Sequence, residues 1–256
     1  MAKEQYDSAS STRWWEFYAV RYGMGTVIGS AILLFLQHVP NGPLCALLPD
    51  LQAGHITGPQ LTLLAAYGFA YCYIASAPIL VLHAGRFCLD VDVRFSVWIK
   101  RLSVMASVPA ILAIVCWTVV QTSYWEIRIL CSGVVLIFVL IVWSQLLLVY
   151  RTYQKKSDVW RTYTRLAGKR HHAVGDIVNS YRHLREHGNS FLIVVFEIVL
   201  GVILYCAGNC LSAVDRSEVY ATQMALTYIS IILIWVIPAC FVWLIGMVLE
   251  RKFIGF

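Results

Sequence analysis

Charge is what this chain has least of. Only 13% of its 256 residues are Asp, Glu, Lys or Arg, while 59% are hydrophobic. A soluble domain carries about 25% charged residues. The shortage is also uneven, because long stretches hold no charge at all. That excludes one large soluble core and points to membrane spans. Alternating apolar–polar strand patterns are missing, which argues against a β-barrel. No Gly-rich phosphate loop, serine-nucleophile elbow, Cys/His zinc cluster or potassium-filter sequence occurs. Paired intramembrane carboxylates, of the kind used by proton-coupled transporters, are missing too. The eight cysteines include no Cys-x-x-Cys pair. Cys72, Cys116, Cys131, Cys206, Cys210 and Cys240 fall in apolar runs and read as small buried hydrophobes.

What is present is a set of six apolar stretches, at about 17–37, 60–84, 101–121, 128–150, 190–212 and 222–249. Each is near the ~20 residues that cross a ~30 Å hydrocarbon core. In lipid a span must satisfy its own backbone hydrogen bonds, so all six read as helices. The expected fold is an all-α polytopic membrane protein with both termini cytoplasmic. Basic residues support that orientation. Of the 20 Lys and Arg, only Arg128 and Arg216 fall on the outer side when six spans start and end inside. An odd number of spans would put a basic segment on the wrong side. The polar first 16 residues fit a signal peptide poorly, so the first span reads as retained.

Three regions follow. Residues 1–150 hold a cytosolic N-terminal anchor and spans 1–4. Residues 151–190 form a basic cytosolic segment. Residues 191–256 hold spans 5 and 6 and a short tail. The middle segment carries nine basic residues against Asp158, Asp176 and Glu186, a net charge equal to the +6 of the whole chain. From Ala173 it reads as an amphipathic helix, with Val174, Ile177, Val178, Tyr181 and Leu184 at three- and four-residue steps. Forty residues are too few for an independent enzyme domain. Arg161, Arg165, Lys169, Arg170, His183 and Arg185 make it a candidate gating or partner-binding segment. Nucleic acid or a nucleotide would also suit its charge, but positive-inside bias already accounts for most of that charge.

One stretch, SYRHLREHGNSFLIVVFEIVLG at 180–201, carries two candidate sites. The first is His183, Glu186 and His187, the His-x-x-Glu-His form of a reversed zinc-protease motif. Two imidazoles four apart share a helix face, and Glu186 would activate water. Against this, Arg182 and Arg185 place positive charge there, and no clear third ligand follows. A basic collar at a membrane surface is the plainer reading. The second candidate is Glu197, a lone carboxylate about 10 Å into span 5 at 1.5 Å per residue. A charge at that depth is costly and usually faces the bundle interior, a water-filled cavity or a partner. Ser190, Glu197, Gly201, Leu204 and Gly208 share one narrow face, with Asn209 beside it. That face either packs against a neighbouring helix or lines a water path.

Span 1 adds Gly25-x-x-x-Gly29, flanked by Thr26 and Ser30, a pattern that lets helix backbones approach closely. Arg21, at the inner lip, is a candidate partner for Glu197. Pro78, Pro109 and Pro238 interrupt three spans, and ordinary kinking is a plainer reading than a gate hinge. Tyr67 and Tyr71, four apart on span 2, could reach polar partners in the bundle, with packing the plainer reading.

Size and layout over the whole chain resemble the small multi-pass effectors of bacterial anti-phage systems, such as the Hailong type. No diagnostic motif carries the resemblance, so no residue roles transfer. It implies a bacterial inner-membrane protein that conducts ions when a cytosolic sensor protein lets go. The expectation is therefore a homo-oligomeric, channel-like effector gated from the cytosol, not an enzyme, and without a cofactor. Its partners would be the lipid bilayer, further copies of itself and a cytosolic regulatory protein. The alternatives are a membrane zinc protease using His183, Glu186 and His187, or a small transporter with Glu197 as its coupling site. Metal analysis separates the protease from the rest. Purified protein should carry no stoichiometric zinc; one zinc per chain, lost in His183→Ala, would establish the protease instead.

Overall fold

In the computed structural model the chain is described over residues 2–39, 44, 48, 57–85, 95–119, 125–154, 161, 175–212 and 219–254; over parts of these, including 2–18, 95–102, 175–187 and 249–254, only the backbone path is described. Seven helices account for nearly all of it: α1 (Ala2–Gln37), α2 (Gly58–Ala75), α3 (Ala77–Gly85), α4 (Phe95–Val119), α5 (Trp125–Gln154), α6 (Gly175–Ser212) and α7 (Val219–Ile254). No strand occurs among the described residues. The protein is an all-α polytopic membrane protein. Four helical stretches, 58–85, 128–154, 188–210 and 222–248, are long and apolar enough to cross a bilayer, and 103–118 is a shorter apolar helix. The first expected span lies within α1, whose helix also takes in the polar start of the chain. Side chains that face outward are apolar, as lipid requires: Ile111 and Ile114 on α4, Ile137 on α5, and Leu233, Phe241 and Trp243 on α7 are all exposed.

The second span is not one helix. Thr57 opens α2, its backbone N–H donating to Gln60 Oε1 at 2.9 Å, with Pro59 at the start. The helix ends at Ala75, and α3 starts one residue beyond Ser76. Pro78 is the cause. It has no N–H to donate, and its ring crowds the preceding turn. Ile79 then donates to Ser76 O at 2.9 Å instead of reaching back four residues to Ala75 O. The Ala75 carbonyl is thereby released from the helix ladder, in a place without water. Trp235 of α7 takes it up, its indole Nε1–H donating to Ala75 O at 3.2 Å. Pro109 and Pro238, by contrast, lie inside continuous helices.

Trp235 is fully buried at the centre of the main core, which α1, α2, α6 and α7 share. Phe138 of α5 stacks on it, with ring centroids 6.3 Å apart. Phe196 of α6 meets it edge-on at 6.0 Å. One side chain therefore joins the break in span 2 to three other helices. The long helix α4 stands at the margin and packs chiefly against α5.

The α1–α2 seam is closer than any pair of ordinary side chains permits. A Cβ at Gly29 would lie 2.6 Å from Gly68 O, and one at Gly68 would strike Ser30 Oγ and Thr26 O. Ser30 uses the approach, its hydroxyl reaching Leu64 O at 3.1 Å across the seam and Thr26 O at 2.8 Å on its own helix. The Gly25–Gly29 pattern of span 1 is thus spent on contacts within the chain.

Replacing Trp235 by Phe keeps an aromatic ring but leaves Ala75 O unpaired. Thermal unfolding in detergent should show a loss of about 1–3 kcal/mol. Trp243→Phe, on the lipid-facing side of the same helix, should change little and serves as the control.

Candidate functional site

Helix α6 runs unbroken from Gly175 to Ser212, through Gly188. The stretch that the sequence marks as amphipathic and span 5 are therefore one helix. Its small-residue face packs against α1, and the two run in parallel. Arg21 pairs with Ser190, Ile32 covers Gly201, and Val39 covers Gly208. Each of these pairs is 169 residues apart, the separation of Arg21 and Ser190, so one register holds along the whole seam. Gly208 is also closed by the Tyr228 hydroxyl, 2.5 Å from where a Cβ would stand. Asn209, half-exposed beside the seam, donates from Nδ2 to Tyr205 O on its own helix at 2.9 Å. Of the two readings of this face, tight packing against a neighbouring helix is what the structure shows in a single chain.

Glu197 lies in the middle of that seam and is completely buried. Its surroundings come from three helices. Gly25 of α1 faces it, and a Cβ there would lie 3.0 Å from Glu197 Oε1 and collide with Cys72 Sγ. A glycine at 25 is what leaves room for the carboxyl and the thiol together. From α2, Cys72 brings its thiol beside the carboxyl, but neither carboxylate oxygen has a hydrogen-bond partner among the described residues. A thiol is in any case a weak donor. Tyr71, next to Cys72, donates its hydroxyl to the main-chain carbonyl of Glu197 at 2.8 Å. It passes over Gly201, where a Cβ would come within 3.2 Å of the Tyr71 oxygen. Tyr71 is thus more than a packing residue: it holds the Glu197 turn of α6 against α2.

The expected Arg21–Glu197 pair is not made. Arg21 instead donates from Nε to Ser190 Oγ at 3.2 Å. Helix geometry explains this. Side chains lean toward the N-terminus of their helix, and the N-terminus of α1 is its inner end. In that register Gly25 is level with Val194, to which the Glu197 carboxyl leans back, whereas Arg21 is level with Ser190, one turn nearer the N-termini of the two helices. Its long stem carries the charge toward the interface rather than into the bundle. One residue away, His83 Nε2 of α3 bonds Asn189 Oδ1 at 2.8 Å. The inner end of span 5 is therefore tied on one side to α1 and on the other to α3.

Sequence reading missed several of these groups. Nothing in the sequence marks His83 and Asn189 as partners. Gln145 of α5 is buried, and neither atom of its amide is hydrogen-bonded among the described residues. Its signal was visible: it is the lone amide in the apolar run of span 4. The side chains of His183, Arg185, Glu186 and His187 lie outside the described residues, as do Arg165, Lys169 and Arg170 altogether; Arg161 is exposed. Among the described residues no three of His, Cys, Asp and Glu gather as metal ligands.

No family model, curated protein or solved structure matches the chain.

A buried polar group without a partner costs stability, and an apolar group of the same shape removes that cost. Glu197→Met should therefore unfold in detergent at the same temperature as the wild type or higher. A loss above about 2 kcal/mol would show that the carboxylate is held by a partner whose removal is costly.

Proposed function

We propose that this chain is a channel-like membrane effector that passes ions, works as a homo-oligomer in a bacterial inner membrane, and is gated from the cytosol. The observation that carries the reading is Glu197. A completely buried carboxylate with neither oxygen hydrogen-bonded among the described residues contributes nothing to stability that a methionine would not. Ionisable groups inside a membrane bundle most often mark ion or proton pathways. The tight seam around Glu197 is, on this reading, the closed state. Cations would meet the carboxylate when α6 moves away from α1.

The helix itself suggests how a cytosolic signal arrives. From Gly175 to Ser212, α6 spans 38 residues, about 57 Å at 1.5 Å per residue. A partner that grips residues 175–187 holds one end of a rod that carries Glu197. Such a partner shifts the equilibrium only by its difference in affinity for the two settings of the rod. The contacts at Ser190 and Asn189 are where a movement would first be felt. The apolar outer faces of α4 and α5 are surfaces on which copies would meet. The resemblance in size and layout to anti-phage effectors agrees with release by a cytosolic sensor.

Planar-bilayer recording tests the reading. Purified wild-type protein should give discrete current steps, and Glu197→Met should lower their frequency or conductance about tenfold or more, the effect of losing roughly 1.4 kcal/mol of ion stabilisation. Saturable, electroneutral flux without steps would mean a transporter with Glu197 as coupling site. Steps indifferent to Glu197 would remove that residue from the conducting path.

A further inference from the structure

The outer end of the bundle gathers thiols. Cys131 begins the membrane part of α5, and Cys210 ends that of α6. Lys and Arg placement puts both ends on the outer side. Their sulfur atoms lie 2.7 Å apart although the residues are 79 positions distant in sequence. Both thiols are free in this structure, Cys131 buried and Cys210 half-exposed. Cys116 of α4 and Cys206, one turn deeper on α6, lie within electrostatic reach of Cys131. Half of the eight cysteines thus converge on one place, from three helices. They do not form a metal site by their geometry.

We propose that Cys131 and Cys210 are a redox pair, and that their oxidation to a disulfide clamps α5 to α6 at the outer face. An S–S bond is about 2.05 Å long, so the two sulfurs need to close by less than an ångström. The compartments outside a bacterial inner membrane favour disulfides. The oxidant is a disulfide-bearing thiol oxidant of that side. The half-exposed Cys210 attacks it as the thiolate, a mixed disulfide forms, and one thiol of the oxidant leaves. Cys131 then attacks Cys210 Sγ, the S–S bond between the chains breaks, and the second thiol leaves. Two thiols and one disulfide enter; one disulfide and two thiols come out, with the two protons on the products. The bond closes a loop that contains the whole basic inner segment. It therefore fixes the outer end of α6 while leaving the inner end free. This inference does not depend on ion conduction.

The test uses full-length wild-type protein in detergent, treated with oxidised glutathione, blocked with N-ethylmaleimide, digested without reductant and mapped by mass spectrometry. The expected result is a linked peptide pair containing Cys131 and Cys210 as the main oxidised species, abolished by dithiothreitol. In Cys131→Ser the second step is blocked, so Cys210 should be trapped as its glutathione adduct. Both thiols alkylated and unlinked after oxidation would overturn the proposal. So would linkage of Cys210 to Cys116 or Cys206 in place of Cys131.

Discussion

The close approach of α1 to α2 at Gly29 and Gly68 positions everything at the centre of the bundle. Helices in lipid gain nothing from excluding water, so they associate through packing and hydrogen bonds. Here backbone meets backbone, with Ser30 bonding Leu64 O across the join. Once that seam is set, α2 presents Tyr71 and Cys72 toward the third helix. Gly25 leaves the space into which Cys72 and Glu197 fit. Tyr71 then fixes the Glu197 turn through its main-chain carbonyl. The carboxylate is buried because three helices converge on a point where two of them have no side chain to spare.

A second constraint works from the other side of the core. Pro78 breaks span 2 and sets the Ala75 carbonyl free of its ladder, and Trp235 recovers it. In water such a carbonyl would be solvated at little cost. Inside a bilayer it must find a donor within the protein. The proline and the tryptophan are thus one device, although 157 residues separate Pro78 from Trp235. Phe138 and Phe196 pack on the indole, so the break in span 2 is tied to α5, α6 and α7 at once. A proline that reads as an ordinary kink is, in the fold, the reason for the central contact.

The helices were legible in the sequence because lipid allows a long apolar run few other forms. Glu197 was legible for the same reason, since a lone carboxylate in such a run cannot be explained by solvent. What stayed hidden were partners. Arg21 and Ser190 are 169 residues apart, Trp235 and Ala75 are 160 apart, and Cys131 and Cys210 are 79 apart. Which of them meet depends on how each helix is rotated about its axis, and glycine contacts set that rotation. The Arg21–Glu197 pair failed on this point. Both residues are near the inner face, but parallel helices lean their side chains the same way, so Arg21 falls inward of the carboxylate. The direction of lean was available from α1 and α6 both running outward. It was not applied.

Helix α6 brings these constraints together. At its inner end it is held by Arg21 and His83 through Ser190 and Asn189, in contacts that are polar and partly exposed. In its middle it is held by Tyr71 and by the glycine seam against α1. At its outer end the Cys210 thiol meets Cys131. These fastenings differ in kind. Packing against glycine is unforgiving, because a small shift forfeits contact along the whole register. Hydrogen bonds near the interface exchange readily with water and cost little net free energy to break. If α6 moves as a rod, its inner end is therefore the end that yields first, and a thiol clasp at the outer face makes that end the pivot. Rotation about such a pivot displaces Glu197 by less than it displaces residues 175–187, the far end of the helix. A large movement at that end is thereby reduced to a small one at the carboxylate, where the α1–α6 seam is packed on glycine.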